Sequence, residues 1–284
     1  MSKTPLKVDL VSDLHVERWE KPLDWSALKK NDVIIVAGDV ADSIAETVKE
    51  LERIAAVYKT VLYIDGNHEY SEELYKKDGD ITAFDDNLRV AISHLPNVHF
   101  LKDGPVVIDG TAIIGRNGHW DYKMLEGASI EDAQKAIMAK IQLPLSDAPL
   151  FSGQAKKDVS DLKQLVKDLN ANPEIHTIFV VTHTLPGKDL MPDRVKGASA
   201  VFSNLGNSEL ADVLKEDTGG KIKNWVFGHW HGYHSASLNG VEYNCHPRGT
   251  PRPGKPEYTV LPIEVGKPAQ KIPSTGSAPK PPAP

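Results

Sequence analysis

Val61-Leu62-Tyr63-Ile64-Asp65-Gly66-Asn67-His68-Glu69 is the stretch on which the reading of this chain turns. A short apolar run of strand character ends near a glycine, and beyond it an amide and an imidazole stand side by side. On a turn leaving a strand, that pair can offer an amide oxygen to a hard cation and an imidazole to a proton. A given tetrapeptide arises by chance in roughly one of several hundred chains of this size, so Gly66-Asn67-His68-Glu69 needs company.

Company stands on both sides. Upstream, the alternating run Leu6–Val11 delivers Asp13 and His15, and the continuous β-branched run Val33–Ala37 ends at Gly38-Asp39. Ile44, Val48, Leu51, Ile54 and Ala55 recur at helical spacing between that run and the central one, giving strand, helix, strand, the unit of a parallel sheet. Downstream, Ile175–Val181 delivers His183, and Ile222–Phe227 delivers Gly228-His229-Trp230-His231.

Between these junctions, a polar linker carries Trp19 and Trp25, and Ile81–Leu95 reads as a helix stopped by Pro96-Asn97. Val98–Leu101, Val106–Ile108 and Ala112–Gly115 read as short strands. Ser129–Ile141 reads as a helix with Ser129 and Asp132 as a capping pair, and Val159–Leu169 as a second helix. The stretch Leu185–Asn207 has no clear pattern, which in a compact domain points to a functional or mobile loop. Ser235–Leu238 and Val241–Asn244 flank Asn239-Gly240 as a hairpin, and Tyr258–Val265 reads as the last strand. From Gly266 onward six of nineteen residues are Pro and none is acidic, so residues 266–284 are expected to form a disordered tail. The expected organisation is one domain over residues 1–265, with 116–172 a helical insertion or cap.

The 284 residues suffice for a full core, and no apolar run approaches the roughly 18 residues of a membrane span. The polar start Met1-Ser2-Lys3-Thr4-Pro5 lacks a signal-peptide apolar region, and the expected location is cytoplasmic. Cys245, the single cysteine, cannot form an intramolecular disulfide and reads as a small buried hydrophobe. A net charge of −6 leaves no electrostatic footprint for wrapping nucleic acid.

Asp13, His15, Asp39, Asn67, His183, His229 and His231 all lie just past the C-terminal ends of expected buried strands, where open α/β sheets place their ligands. Carboxylate, amide and imidazole are donors for divalent metals, and seven of them exceed one tetrahedral site. Two ions are implied, with a carboxylate, best Asp39, as the bridge.

The set Asp13-x-His15, Gly38-Asp39, Gly66-Asn67-His68-Glu69, His183 and Gly228-His229-x-His231 resembles the calcineurin-like metallophosphoesterase superfamily. The resemblance implies an α/β fold, a four-layer αββα sandwich of two mixed sheets flanked by helices. It implies one metal held by Asp13, His15, Asp39 and His231 and the other by Asp39, Asn67, His183 and His229. It also assigns Asp42 to orient His68 and fix its tautomer. Ser43 and Val16 stand where the protein Ser/Thr phosphatase branch carries Arg and Gly, which argues against that branch. Asp13-Leu14-His15-Val16-Glu17 and His246-Pro247-Arg248-Gly249 are similar to small bacterial and phage members, which have Asn at the position of His246.

The expected activity is dinuclear metal-dependent hydrolysis of a phosphodiester or phosphomonoester, on a small molecule or nucleotide, by in-line attack of a metal-bridging hydroxide. Mn, Fe, Zn and Ni all tolerate such ligands, with Mn the expectation in vitro. His68 would protonate the leaving alkoxide or bond a phosphoryl oxygen. Arg248 could clamp a phosphate through its fork, and His119 with Arg116, Trp120 and Asp121 could line the substrate cleft. His94, His99, His176 and His234 read as surface or core groups, and Tyr70 as packing. A zinc reading of His229-x-His231 with His234 fails because Tyr233 stands where that motif needs Asp. Two alternatives stay open: a nuclease of the same superfamily, and a non-catalytic scaffold of this fold.

Overall fold

The computed structural model describes residues 5–70, 81–127, 129–195, 199–255 and 257–269. In chain order its elements are β1 (Lys7–Val11), α1 (Trp25–Leu28), β2 (Val33–Ala37), α2 (Ile44–Ala55), β3 (Thr60–Ile64), α3 (Ile81–Ile92), β4 (Val98–Phe100), β5 (Val106–Ile108) and β6 (Thr111–Arg116). There follow α4 (Ile130–Lys140), α5 (Ala148–Ala171), β7 (Thr177–Thr182), β8 (Ile222–Phe227), β9 (His234–Leu238), β10 (Val241–Cys245) and β11 (Leu261–Glu264).

Every residue of β2 is buried, as a parallel strand covered on both faces requires. It pairs parallel with β1 and β3, β3 with β4, and β11 closes one edge antiparallel to β1. In the second sheet the order is β5-β6-β7-β8-β10-β9, with antiparallel pairs only at the two outer ends. The hairpin turn has φ 52° at Asn239 and 78° at Gly240, the two positive values that a tight two-residue turn of the primed type demands.

The two sheets pack face to face, and strand alternation assigns the faces. Ile113, Phe179, Val181 and Val226 join the core shared with Val8, Leu10, Ile35 and Leu62 of the first sheet. Their neighbours Ala112, Ile114, Ile178, Val180, Trp225 and Phe227 face the other way, onto Val159, Leu162 and Val166 of α5. Leu51 and Ile54 of α2, with Phe84 and Leu88 of α3, cover the first sheet from outside. The result is the expected order of layers: helix, sheet, sheet, helix.

Local chemistry sets the helix ends. Ser43 accepts the Glu46 amide at the start of α2, and Ser129 accepts the Asp132 amide at the start of α4. Two expectations need correction. The stretch read as a polar linker contains α1, capped by Asp24 through the amides of Ser26 and Ala27, with Trp25 buried and bonded to Glu50. The helix expected over Val159–Leu169 is α5, which starts at Ala148. Gly153 and the adjacent lysines interrupt the apolar spacing there, but Pro149 is compatible with a first turn and Phe151 and Ala155 are buried.

Smaller differences follow from tertiary contacts. The patternless stretch is organised by 3-10 turns at Lys188–Leu190, Asp193–Val195 and Ala200–Leu205, and the last strand is limited to β11. Among the described residues no helix is long and apolar enough to cross a membrane. Of the expected disordered tail, residues 270–284 lie outside the described residues.

Candidate metal centre

The loops after β1, β2, β3, β7 and β8 converge at one end of the two sheets. A bridge between Ser12 and Pro247 joins the strand ends of β1 and β10 there, and the Gly249 amide donates to the Asp13 carbonyl at 2.7 Å. The backbone at this end is strained. Eight described residues other than glycine have positive φ, and four are proposed ligands: Asp13 (48°), His15 (42°), Asp39 (54°) and His229 (62°). Each such conformation costs on the order of 1–3 kcal/mol and clusters at functional sites. Burial of a side chain such as Phe179 or Val226 contributes about 1.5–3 kcal/mol, so a few core contacts offset that strain.

Glycines bring the loops together. At Gly66 a side chain would meet the Asp39 carboxylate, and at Gly38, φ 83°, it would meet the ring of His183.

Seven side chains come together. Ligand atoms of Asp13, His15, Asp39 and His231 lie within 4.8 Å of one another, as do those of Asp39, His183 and His229. Asn67 joins the second group, its Oδ1 3.2 Å from His183 Nε2. Asp39 belongs to both groups. Its Oδ1 is 3.2 Å from His183 Nε2, and its Oδ2 is 3.8 Å from His15 Nε2. His15 Nε2 and His231 Nε2 face each other at 2.9 Å, and His231 Nε2 is 3.4 Å from Asp13 Oδ1.

The surroundings prepare these atoms for cations. His183 donates Nδ1–H to the Ala37 carbonyl at 2.9 Å, which turns Nε2 toward Asp39. His229 and His68 donate backbone amides to Asp13 and Asp39 at 2.9 and 2.8 Å. Asp39 Oδ2 is buried with no hydrogen-bond partner, a costly state for an anion without a counter-charge. Burial opposes ionisation of Asp13 and Asp39. The hydrogen bond and charge of His231 nevertheless hold Asp13 below the usual carboxylate range, and the charges of His183 and His68 hold Asp39 well below it. Burial, then the nearby His183 charge, pushes His229 down to about 3, favouring the neutral imidazole that ligates metals. An orphaned buried carboxylate oxygen among converging imidazole nitrogens fits a pair of divalent ions.

His68 lies beside the two groups. Its Nδ1–H donates to Asp42 Oδ1 at 2.6 Å, and its Nε2 is 4.0 Å from Asp39 Oδ2. Burial works against its charged form, but Asp39 and Asp42 outweigh it and raise the ring to about 9.

The other candidates are placed differently. Arg116 bonds Asp161 at 3.1 Å and the carbonyls of Leu101 and Gly115. Arg248 is buried against the Trp19 ring at 4.2 Å and donates to the Lys21 carbonyl, fastening the linker. His119 is buried, donates Nδ1–H to Asp158 at 2.8 Å and lies 5.9 Å from the Tyr70 ring; the Trp120 ring lies 6.1 Å from His229. His94 is an exposed partner of Glu52.

Three site residues escaped assignment from sequence. Glu69 accepts the amides of Gly66, Asp39 and Val40 and the Tyr63 hydroxyl, and its signal was its place in the quoted motif. Glu17 Oε1 lies 3.6 Å from His15 Nδ1, and its signal was the Asp-Leu-His-x-Glu spacing. Arg18 Nη2 lies 3.6 Å from Asp42 and 3.5 Å from His68, with no sequence signal.

A family model described as calcineurin-like phosphoesterase matches residues 6–233. An uncharacterized protein of Acanthamoeba polyphaga mimivirus is 23% identical over 256 residues, 81% of this chain and 86% of that protein. Among solved structures, phosphopantetheinyl hydrolase from Mycobacterium tuberculosis superposes with a TM-score of 0.71 at 20% identity, covering 98% of this chain and 99% of that one. A dimetal phosphatase from Danio rerio superposes at 0.52 and 11% identity, covering 93% of each. At these identities the superpositions speak for the fold.

Proposed function

The chain belongs to the calcineurin-like phosphoesterases, metal-dependent phosphoester hydrolases, and on that premise we propose that it hydrolyses small-molecule or nucleotide phosphoesters with two divalent ions. Asp13, His15, Asp39 and His231 would hold one ion, and Asp39, Asn67, His183 and His229 the other. One observation carries this reading: each Asp39 oxygen faces a different group of imidazoles, and Oδ2 is buried with no hydrogen bond. Bound there, the ions would lower the pKa of coordinated water and draw charge from phosphoryl oxygens.

The chain's own groups do the rest. Asp42 fixes the His68 tautomer, so that Nε2 faces the side of Asp39 where a leaving oxygen needs its proton. Glu69 ties the Asp39 and Asn67 loops to each other, holding ligands from two strands in one geometry. Trp120, α4 and the first turns of α5 share an apolar cluster with Phe151, and we place the substrate cap there.

The test is a metal-supplemented panel of bis-aryl phosphate, aryl phosphate, cyclic nucleotides, single-stranded DNA and a phosphopantetheinyl ester, the group in the Mycobacterium tuberculosis neighbour's name. Turnover of small esters, lost in His68→Ala, supports the proposal. Cutting of DNA without turnover of small esters would replace it by the nuclease reading. No hydrolysis of any ester together with no bound metal would leave a scaffold.

A further inference from the structure

Arg18 is the one site cation contributed by the 3-10 turn Val16–Arg18, directly after His15. Its side chain is 36% exposed, its Nε donates to Glu17 Oε1 at 2.9 Å, and its Nη2 lies 3.6 Å from Asp42 Oδ2 and 3.5 Å from His68 Nδ1. The proposed ligands Asp13, His15 and Asp39 are fully buried behind it.

Both nearby carboxylates have other partners. Asp42 Oδ1 accepts from His68 at 2.6 Å, and Glu17 Oε1 also lies 3.6 Å from His15 Nδ1. The guanidinium is therefore held in place by two carboxylates that it shares with histidines. It lies on the Nδ1 edge of the His68 ring, beside Asp42, and is partly exposed, within reach of a charged group on an alcohol leaving next to His68. A guanidinium recognises a carboxylate or phosphate through paired N–H donors, and such charge-assisted bonds are about twice as strong as neutral ones.

We infer that Arg18 selects phosphoesters whose leaving alcohol itself carries a negative charge, a carboxylate or second phosphate seated on the guanidinium beside His68. The inference rests on the phosphoester hydrolase reading and names the substrate class within it. Arg18 contacts the leaving group and takes no part in proton transfer.

Two pairs of matched size test this: 4-carbamoylphenyl phosphate against 4-carboxyphenyl phosphate for turnover, and the corresponding phenylphosphonates for binding by calorimetry to the metal-loaded protein. The wild type is expected to favour the carboxylated member of each pair. Arg18→Gln should cut the preference for that member over the neutral one by about tenfold, in kcat/KM and in phosphonate affinity alike, with Arg18→Lys between. Equal losses for both members would overturn the inference and make Arg18 a support for Asp42. No loss for either would overturn it as well. If the wild type turns over neither ester, the wider ester panel decides the hydrolase reading, and the phosphonate comparison alone decides the role of Arg18.

Discussion

Glu69 Oε1 accepts the backbone amide of Val40 at 2.8 Å, linking the loop after β3 to the loop after β2. The same carboxylate takes the amides of Asp39 and Gly66 and the Tyr63 hydroxyl, all out of contact with water. Glu69→Ala would strand three buried amides, each worth about 1–3 kcal/mol when unsatisfied. The expected outcome is a loss of roughly 3 kcal/mol or more in urea unfolding. A metal affinity lowered by about 10–100-fold in calorimetry should accompany it. An unchanged affinity would show that the two loops hold their geometry without this link.

His68→Ala and Asp42→Asn separate the proton donor from its support. The His68 ring lies outside both proposed ligand sets, so its removal should leave metal content intact by elemental analysis. It should lower kcat by roughly 10²–10⁴. Asp42→Asn keeps a partner for Nδ1 without the charge, and a smaller loss, about tenfold, is expected. Loss of bound metal in His68→Ala would mean that His68 is itself a ligand.

Gly66→Ala places a methyl group against the Asp39 carboxylate, and the backbone of Asp39 leaves it no flexible neighbour to displace. Metal binding should fall by at least about tenfold with the circular dichroism spectrum retained. Gly153→Ala is the contrasting case, because nothing lies within 4 Å of the added carbon and its backbone is that of helix α5. Its metal titration should match the wild type, and parallel losses in the two variants would refute the steric account.

His246 gives a pH dependence whose sign follows from its burial. It donates Nε2–H to the Thr259 carbonyl at 2.6 Å, stacks on Tyr258 at 5.2 Å and has no partner at Nδ1. Burial lowers the ring to about 4 from the ordinary 6.5. A depressed imidazole favours the fold above pH 6.5, and that contribution is lost as the pH falls toward 4. The full loss is about 3 kcal/mol, at 1.36 kcal/mol per pKa unit. Urea unfolding of metal-free protein at pH 7.5 and 5 should show wild-type stability dropping more steeply than that of His246→Asn. Parallel slopes would place the acid sensitivity elsewhere.

Much of the site was legible because its ligands follow buried strands, and such strands announce themselves by β-branched runs. Val33–Ala37 and Ile175–Val181 needed no tertiary information, and a ligand past each run could be read by position. Glu17 and Glu69 were visible as letters without a job, since their partners are the His15 ring and amides on another loop. Arg18 was invisible: its neighbours Asp42 and His68 are 24 and 50 residues away in the chain, and no spacing encodes that meeting. The packing of Arg248 on Trp19 was equally invisible, because a long side chain's direction depends on what packs around it.

The sequence by itself determined the α/β class, the strands that end at the site and the residue types waiting there, because strand burial and helix spacing are local periodicities, while the layering came only with the family resemblance. The tertiary structure decided which oxygen of Asp39 faces which imidazoles, which of its oxygens lacks a hydrogen bond and where Arg18 and Arg248 point. Those relations arise only when loops distant in the chain are forced together against a close-packed core, at left-handed residues and at glycines whose added carbon would collide with a neighbouring ligand.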